Sequence, residues 1–145
     1  MHEFDVPVVF SIERAGYPFP WSEGIFRDCL RVGYVCRVID VGGTMAGYGI
    51  MSTGAGEAHI LNVCISEEFR GRGLARRMML HLLERARVAG MSEAFLEVRP
   101  SNTIAVHLYE TLGFEQVGVR RAYYQAVGGR EDAAVLRRIL RPEPN

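Results

Sequence analysis

The hydrophobic pattern of this chain changes period once, at Ile65, and that change decides what it can fold into. Before it lie three β-like runs, Tyr34–Val41, Met45–Thr53 and His59–Ile65. Gly42-Gly43 and Gly54-Ala55-Gly56 separate them and read as hairpin turns. After it comes a polar loop, Ser66–Gly73, and then Leu74–Ala89, where Leu74, Met78, Leu82, Leu83 and Ala86 recur at the helical period until Gly90. A short strand at Ala94–Val98 and a helix from Thr103 to Leu112, ended by Gly113, follow. Phe114–Val127 and Ala133–Leu140 then form a last hairpin around Gly128-Gly129. Ahead of the first strand, Asp5 caps a short helix with Pro7 in its first turn and Val8, Phe10 and Ile12 in or near its apolar face. The prolines of Tyr17-Pro18-Phe19-Pro20-Trp21 end it, and Ser22 caps a second helix that runs to Val32 and stops at Gly33. The order ααβββαβαββ specifies an α+β fold with a mixed sheet, antiparallel except in the β-α-β unit around residues 58–98.

At 145 residues the chain reads as one domain, 1–145, with Pro142-Glu143-Pro144-Asn145 as a frayed tail. A hydrophobic share of 48% with 23% charged residues excludes a disordered, fibrous or membrane-embedded chain. No apolar run approaches the ~20 residues of a membrane span, and Met1-His2-Glu3 does not open a signal peptide. Cys29, Cys36 and Cys64 lack CxxC spacing and the histidines are scattered, which points to free thiols in a reducing cytoplasm and to no metal site.

All 17 basic residues are arginine, matched by 17 acids, so every mechanism that needs a lysine is excluded. The charge is unevenly spread: residues 1–66 hold 4 Arg against 7 acids, and residues 67–145 hold 13 Arg against 10 acids. A positive half suits an anionic ligand, whereas the neutral sum argues against a dedicated nucleic-acid binder.

The candidate anion site is the loop Arg70-Gly71-Arg72-Gly73-Leu74-Ala75-Arg76. Two glycines let the backbone approach a ligand, and the following helix offers unpaired N–H groups and a positive dipole end, a cradle suited to pyrophosphate. A second reading is a glycine-rich turn before a solvated basic helix face; composition does not separate the two. Nucleotide fingerprints fail on named positions: no lysine serves a P-loop, and Arg76 stands where a dinucleotide motif needs its third glycine.

Arg70-x-x-Gly73-x-Ala75 resembles the Q/R-x-x-G-x-G/A acetyl-CoA loop of the GCN5-related N-acetyltransferases (GNATs), whose element order the chain also shares. Phe19-Pro20-Trp21-Ser22-Glu23, Leu96-Glu97-Val98-Arg99-x-Ser101-Asn102, Leu108-Tyr109-x-x-Leu112-Gly113-Phe114, Arg120-Arg121-x-Tyr123-Tyr124 and Gly129-Arg130-Glu131-Asp132-Ala133 narrow the likeness. They resemble the RimI-like Nα-acetyltransferases, which acetylate the N-terminal alanine of small-subunit ribosomal protein eighteen. The likeness runs from Asp5 to Leu140. It implies acetyl-CoA as co-substrate, no metal, a ribosomal-protein N-terminus as partner, no nucleic-acid or membrane partner, and a monomeric cytoplasmic enzyme. Within the superfamily, activity on other protein N-termini, internal lysines or small amines, or a non-catalytic CoA-binding module, are the alternatives. One departure concerns the edge of the sheet: family members usually carry a strand before the Asp5-Val6-Pro7 helix, where only four residues stand here.

Acyl transfer to an α-amine requires removal of a proton from a group of pKa roughly 8 and protonation of a departing thiolate. No Cys–His or Ser–His nucleophile pair is evident, which favours direct attack of the amine on the thioester. Glu97, among apolar strand neighbours, is the candidate base, with partial burial expected to raise its pKa; the alternative is an edge-facing surface glutamate. Phe95 and Glu97 share one face of that strand, Leu96 and Val98 the other. Tyr109 is the candidate acid, or else an ordinary core aromatic of its helix. The resemblance assigns base and acid to these two positions.

It also implies that Val63, Cys64 and Ile65 pair with pantetheine through a splayed strand, that Gly71–Arg76 hold the pyrophosphate, and that Asn102 contacts pantetheine. Asn102 is also a good N-cap, and Cys64 reads as a small core residue. For the acceptor peptide, Phe19, Pro20, Trp21, Tyr123 and Tyr124 are candidate walls, and Glu23, Glu131 and Asp132 candidate partners for a basic tail. Ordinary packing, and pairing with Arg120, Arg121 or Arg130, are the competing roles.

Overall fold

The computed structural model describes residues 1–140, so the tail expected at 142–145 lies outside the described residues. Four helices and six strands follow in the expected order: α1 (Val6–Gly16), α2 (Glu23–Arg31), β1 (Val35–Val41), β2 (Thr44–Gly54), β3 (Glu57–Ile65), α3 (Leu74–Val88), β4 (Glu93–Val98), α4 (Thr103–Thr111), β5 (Glu115–Ala126) and β6 (Gly129–Ile139). The sheet order is β1-β2-β3-β4-β6-β5, and β3 with β4 is its parallel pair. The mixed α+β architecture read from the sequence is the one observed.

Three local details differ. Asp5 precedes α1 but does not cap it; its Oδ2 accepts from His2 N at 2.7 Å and closes a short 3₁₀ turn. The buried stripe of α1 is Val6, Val9, Ile12 and Glu13, at spacings of three and four, while Val8 is 48% exposed on the opposite side. The last hairpin turns at Val127-Gly128, because Ala126 pairs with Gly129 and β6 starts four residues earlier than its apolar run. Polar residues of a half-solvated strand carry no hydrophobic signal to mark its start.

Each face of the sheet has its own core. On one, Met78, Met79, Leu82, Leu83 and Ala86 of α3 pack on Met51, Ala58, Ile60, Leu96 and Leu136, with Leu112 and Phe114 at the end of α4. On the other, Val6, Val9, Ile12, Phe26 and Cys29 of α1 and α2 cover Cys36, Tyr48, Ile50 and Cys64. Ser22 caps α2 by accepting from Ile25 N at 3.2 Å. Near the edge β1, the amino group of Met1 donates to Cys36 O at 3.0 Å, and no strand precedes α1 among the described residues. None of the described helices is long and apolar enough to cross a membrane.

Candidate active site

The site begins with a failure of strand pairing. β3 and β4 pair from Glu57 with Glu93 to Ile60 with Leu96, and there the pairing stops, although β3 continues to Ile65 and β4 to Val98. The cause is next to the stop. On the β2 side, Ile50 pairs with Asn62 but Met51 with Ile60, so Leu61 is an extra residue, and such a bulge bends its strand. β4 keeps its pairing with β6, Glu97 to Val135 and Val98 to Ala134. The two parallel strands therefore part, and beyond Ile60 the edge of β3 that faces β4 has no strand partner. A groove of about 540 Å³ opens over the wedge.

Glu97, Tyr109, Asn102, Val63, Phe19, Trp21, Tyr124 and Glu131, all candidates from the sequence, line this groove. Glu97 lies on the β4 face opposite the buried Leu96 and Val98, with its side chain only 7% exposed. His59 Nε2 is hydrogen bonded to its Oε2, and Arg120 Nε lies 3.2 Å from its Oε1. Burial pushes the Glu97 carboxyl up, but the hydrogen bond and charge of His59, with the charge of Arg120, outweigh it and hold the group below its ordinary value. The expected upward shift is thus overturned by two partners that lie 38 and 23 residues away along the chain.

Tyr109, on α4, is pushed up to about 12 by burial and stays protonated at neutral pH. Its ring meets Phe114 edge-on at 6.0 Å. Asn102 caps α4, its side chain accepting from Ala105 N at 3.2 Å. Across the groove, Tyr124 lies under the Arg99 guanidinium, 4.4 Å from the ring centroid, and burial raises its phenol. Glu131 accepts from Ser101 N at 3.1 Å and Ser101 Oγ at 3.0 Å and pairs with Arg99, which ties the β4–α4 loop to β6.

The other candidates lie apart. Glu23 is paired with Arg27 one turn along α2. Asp132 Oδ1 accepts from Ala122 N at 2.7 Å and holds an irregular stretch of β5 in which Ala122 has φ of 51°. Tyr123 and Pro20 are exposed near the rim, Tyr123 edge-on to Tyr124 and beneath Arg120.

The glycine loop follows the end of β3. Gly71 and Gly73 take positive φ, 78° and 74°, and Gly73 is the N-cap of α3. The helical ladder starts with Arg77 N donating to Gly73 O at 3.1 Å, so the amides of Leu74, Ala75 and Arg76 stand ahead of it. The arginines brace the loop: Arg70 Nε donates to Ile65 O at 3.0 Å, Arg72 lies over the Phe69 ring, and Arg76 donates to Thr111 Oγ1 at 3.0 Å. Cys64 is buried in the core, and burial raises its thiol.

Sequence reasoning missed two residues. His59 counted as one of four scattered histidines, yet it shares its sheet face with Glu97 on the neighbouring strand. Glu13, 2% exposed, lines the groove floor and accepts from Tyr48 Oη, from Asn62 Nδ2 at 2.9 Å and from Trp21 N at 2.8 Å. Its place in the stripe with Val6 and Val9 was the available signal.

A mixed sheet parted at its parallel seam, followed by a glycine loop at a helix start, is the arrangement that the resemblance to the acetyltransferases implies. Residues 6–114 match the acetyltransferase (GNAT) family, and the chain belongs to that family of enzymes. It is 35% identical over 132 residues, 91% of this chain and 89% of the relative, to the [ribosomal protein bS18]-alanine N-acetyltransferase of Escherichia coli K12. The crystal structure of the ribosomal-protein-S18-alanine N-acetyltransferase from Escherichia coli superposes with a TM-score of 0.92 at 32% identity, covering 100% of this chain and 94% of that one. The phosphinothricin acetyltransferase of Sinorhizobium meliloti, solved in complex with AcCoA, shares the fold at TM-score 0.82 and 21% identity, over 100% of this chain and 90% of that one.

Proposed function

We propose that this chain is an acetyl-CoA-dependent Nα-acetyltransferase whose acceptor is the N-terminal alanine of ribosomal protein bS18. The observation that carries the reading is that a buried carboxylate, Glu97, and a protonated phenol, Tyr109, line one groove at the parting of β3 and β4. Similarity to the bS18-alanine N-acetyltransferase over nine-tenths of both chains supports the acceptor.

The residues fit acetyl-CoA. The edge of β3 at Val63–Ile65 has no strand beside it, although Val63 O accepts from Tyr17 Oη at 2.9 Å and Ile65 O from Arg70 Nε, and it suits an extended pantetheine arm, with Asn102 at the opposite wall. The amides at the start of α3 suit a pyrophosphate. When bound, the thioester supplies the acetyl group. Glu97 takes one proton from the substrate ammonium, the amine nitrogen forms its bond to the acetyl carbon as the carbon–sulfur bond breaks, Tyr109 protonates the departing thiolate, and the second proton of the nitrogen returns to the Tyr109 phenolate. Phe19, Trp21 and Tyr124 form walls for the first residues of the peptide. The neutral net charge supports a protein N-terminus rather than a nucleic acid as partner.

The test is acetyl-CoA turnover with a peptide beginning Ala-Arg, beside a polyamine and an Nα-blocked lysine peptide. The Ala-Arg peptide should be acetylated on its α-amine by the wild type, and Glu97→Gln should abolish most of that turnover. Preference for the blocked peptide or the polyamine refutes the acceptor; undiminished turnover by Glu97→Gln refutes the base.

A further inference from the structure

Both oxygens of Glu97 are held, but by partners of different kinds. His59 comes from β3, a strand paired on both sides at that point, with Ser52 of β2 and Phe95 of β4. Its side chain is short and 35% exposed. An ionised carboxylate only accepts hydrogen bonds, so the shared proton sits on His59 Nε2, which donates to Oε2. Arg120 comes from the edge strand β5, beside the irregular stretch around Ala122, on a long side chain that is 56% exposed and rests over Tyr123. The first contact is anchored in the sheet; the second is made by a long, half-exposed side chain whose guanidinium can turn to water when another cation takes its place at the buried carboxylate.

We infer that His59 is the positioning residue of the catalytic base: it fixes Glu97 by Oε2 and so leaves Oε1, now under Arg120, as the oxygen that receives the amine proton. The inference rests on the reading of Glu97 as base. As the substrate ammonium enters, it replaces the Arg120 guanidinium at Oε1, one cation for another, and the local charge balance is kept. The ammonium N–H bond then breaks and an O–H bond forms at Oε1. The freed lone pair attacks the thioester carbon, the carbon–sulfur bond breaks, the sulfur leaves with the proton of Tyr109, and the second proton of the acylated nitrogen returns to the Tyr109 phenolate. Without His59 the carboxylate is free to rotate toward Arg120, and a misplacement of about 1 Å at a reacting group costs on the order of 10²-fold in rate.

The experiment measures kcat and both KM values of the full chain with acetyl-CoA and the Ala-Arg peptide, for the wild type, His59→Ala, His59→Gln, His59→Asn and Glu97→Gln. His59→Ala should lower kcat about ten- to hundredfold and leave the KM for acetyl-CoA within about twofold of wild type. His59→Gln, whose amide N–H can reach Oε2 from the same backbone, should recover most of the lost kcat. His59→Asn, a polar side chain one carbon shorter, should not, and it supplies the comparison if His59→Ala does not fold. A kcat for His59→Ala or His59→Asn within about twofold of wild type, with Glu97→Gln inactive, overturns the role of His59 and leaves the base assignment standing. Equal losses in His59→Gln and His59→Ala overturn positioning through a donated hydrogen bond. Full activity of Glu97→Gln overturns the base assignment itself.

Discussion

Replacing Glu13 by alanine should destabilise the protein more than replacing it by glutamine, and the structure sets the scale of both. In the wild type one buried carboxylate serves three donors: Tyr48 Oη and Asn62 Nδ2 at Oε1, and Trp21 N at Oε2. Glutamine keeps one acceptor oxygen. Placed at Oε2, it retains the Trp21 bond, while its amide group faces a hydroxyl that can rotate and an Asn62 amide that can flip. What is lost is charge assistance and at most one bond, about 1–2 kcal/mol. Alanine leaves all three donors without the acceptor; breaking a buried charged network in this way costs about 3–5 kcal/mol. For a domain of this size each kcal/mol moves the midpoint by roughly 3 °C, so the expected losses are about 3–6 °C and 9–15 °C. Thermal unfolding followed by circular dichroism measures both. Trp21 is the sole tryptophan, so its emission reports on the same contact locally and should shift to longer wavelength in Glu13→Ala. A midpoint for Glu13→Ala within about 3 °C of wild type, with unchanged emission, would refute the reasoning.

Three further predictions follow from the site and its supports. Tyr109→Phe should lower kcat with little change in the KM for the peptide; because burial holds the phenol up at about 12, the wild-type pH profile should show no basic limb from this group below about pH 11. Glu97, held below its ordinary value of 4.5, contributes stability that is present above the unfolded-state pKa and lost as pH falls through the folded value. Its acid limb in kcat/KM should therefore lie below the usual carboxylate range, and Arg120→Gln, which removes one of the lowering charges, should move that limb to higher pH. In Gly47→Ala the new Cβ would stand 2.5 Å from Cys64 O and 2.6 Å from the Ile65 side chain. Backbone cannot yield as a side-chain tip does, so urea denaturation should show a loss of about 1–3 kcal/mol, and a loss under 0.5 kcal/mol would show that the end of β3 gives way.

How much of this was legible before folding depended on range. The break in period at Ile65, the glycine loop and the face of Glu97 are set by residues within a few positions of each other, and side-chain alternation along β4 places Glu97 away from Leu96 without knowledge of any partner. The parting of β3 from β4 was not derivable from the residues themselves, because the extra residue at Leu61 exists only relative to β2. The electrostatics of Glu97 differ from expectation for the same reason: burial is local, but His59 and Arg120 reach it only once four strands, β3, β4, β6 and β5, are side by side. Glu13 sat in a visible helical stripe and was passed over because a carboxylate in an apolar row offers no local clue to its three donors. Among the acids proposed for a basic peptide tail, Glu23 and Asp132 are engaged by Arg27 and by the Ala122 amide, choices that composition cannot distinguish from solvent exposure.

The seam between β3 and β4 also divides the molecule as a folding problem. It comprises four residue pairs, and on either side of it lies a three-stranded half, β1–β2–β3 and β4–β6–β5, each drawn from its own stretch of chain. Antiparallel neighbours within β1–β2–β3 are close in sequence and cheap to bring together, whereas the seam must close over the whole of α3. The shortest piece of pairing in the sheet is thus the one whose end opens the groove. A ligand laid along β3 beyond that end would join the two halves where the chain itself does not, so that occupancy of the site and resistance to unfolding rise together.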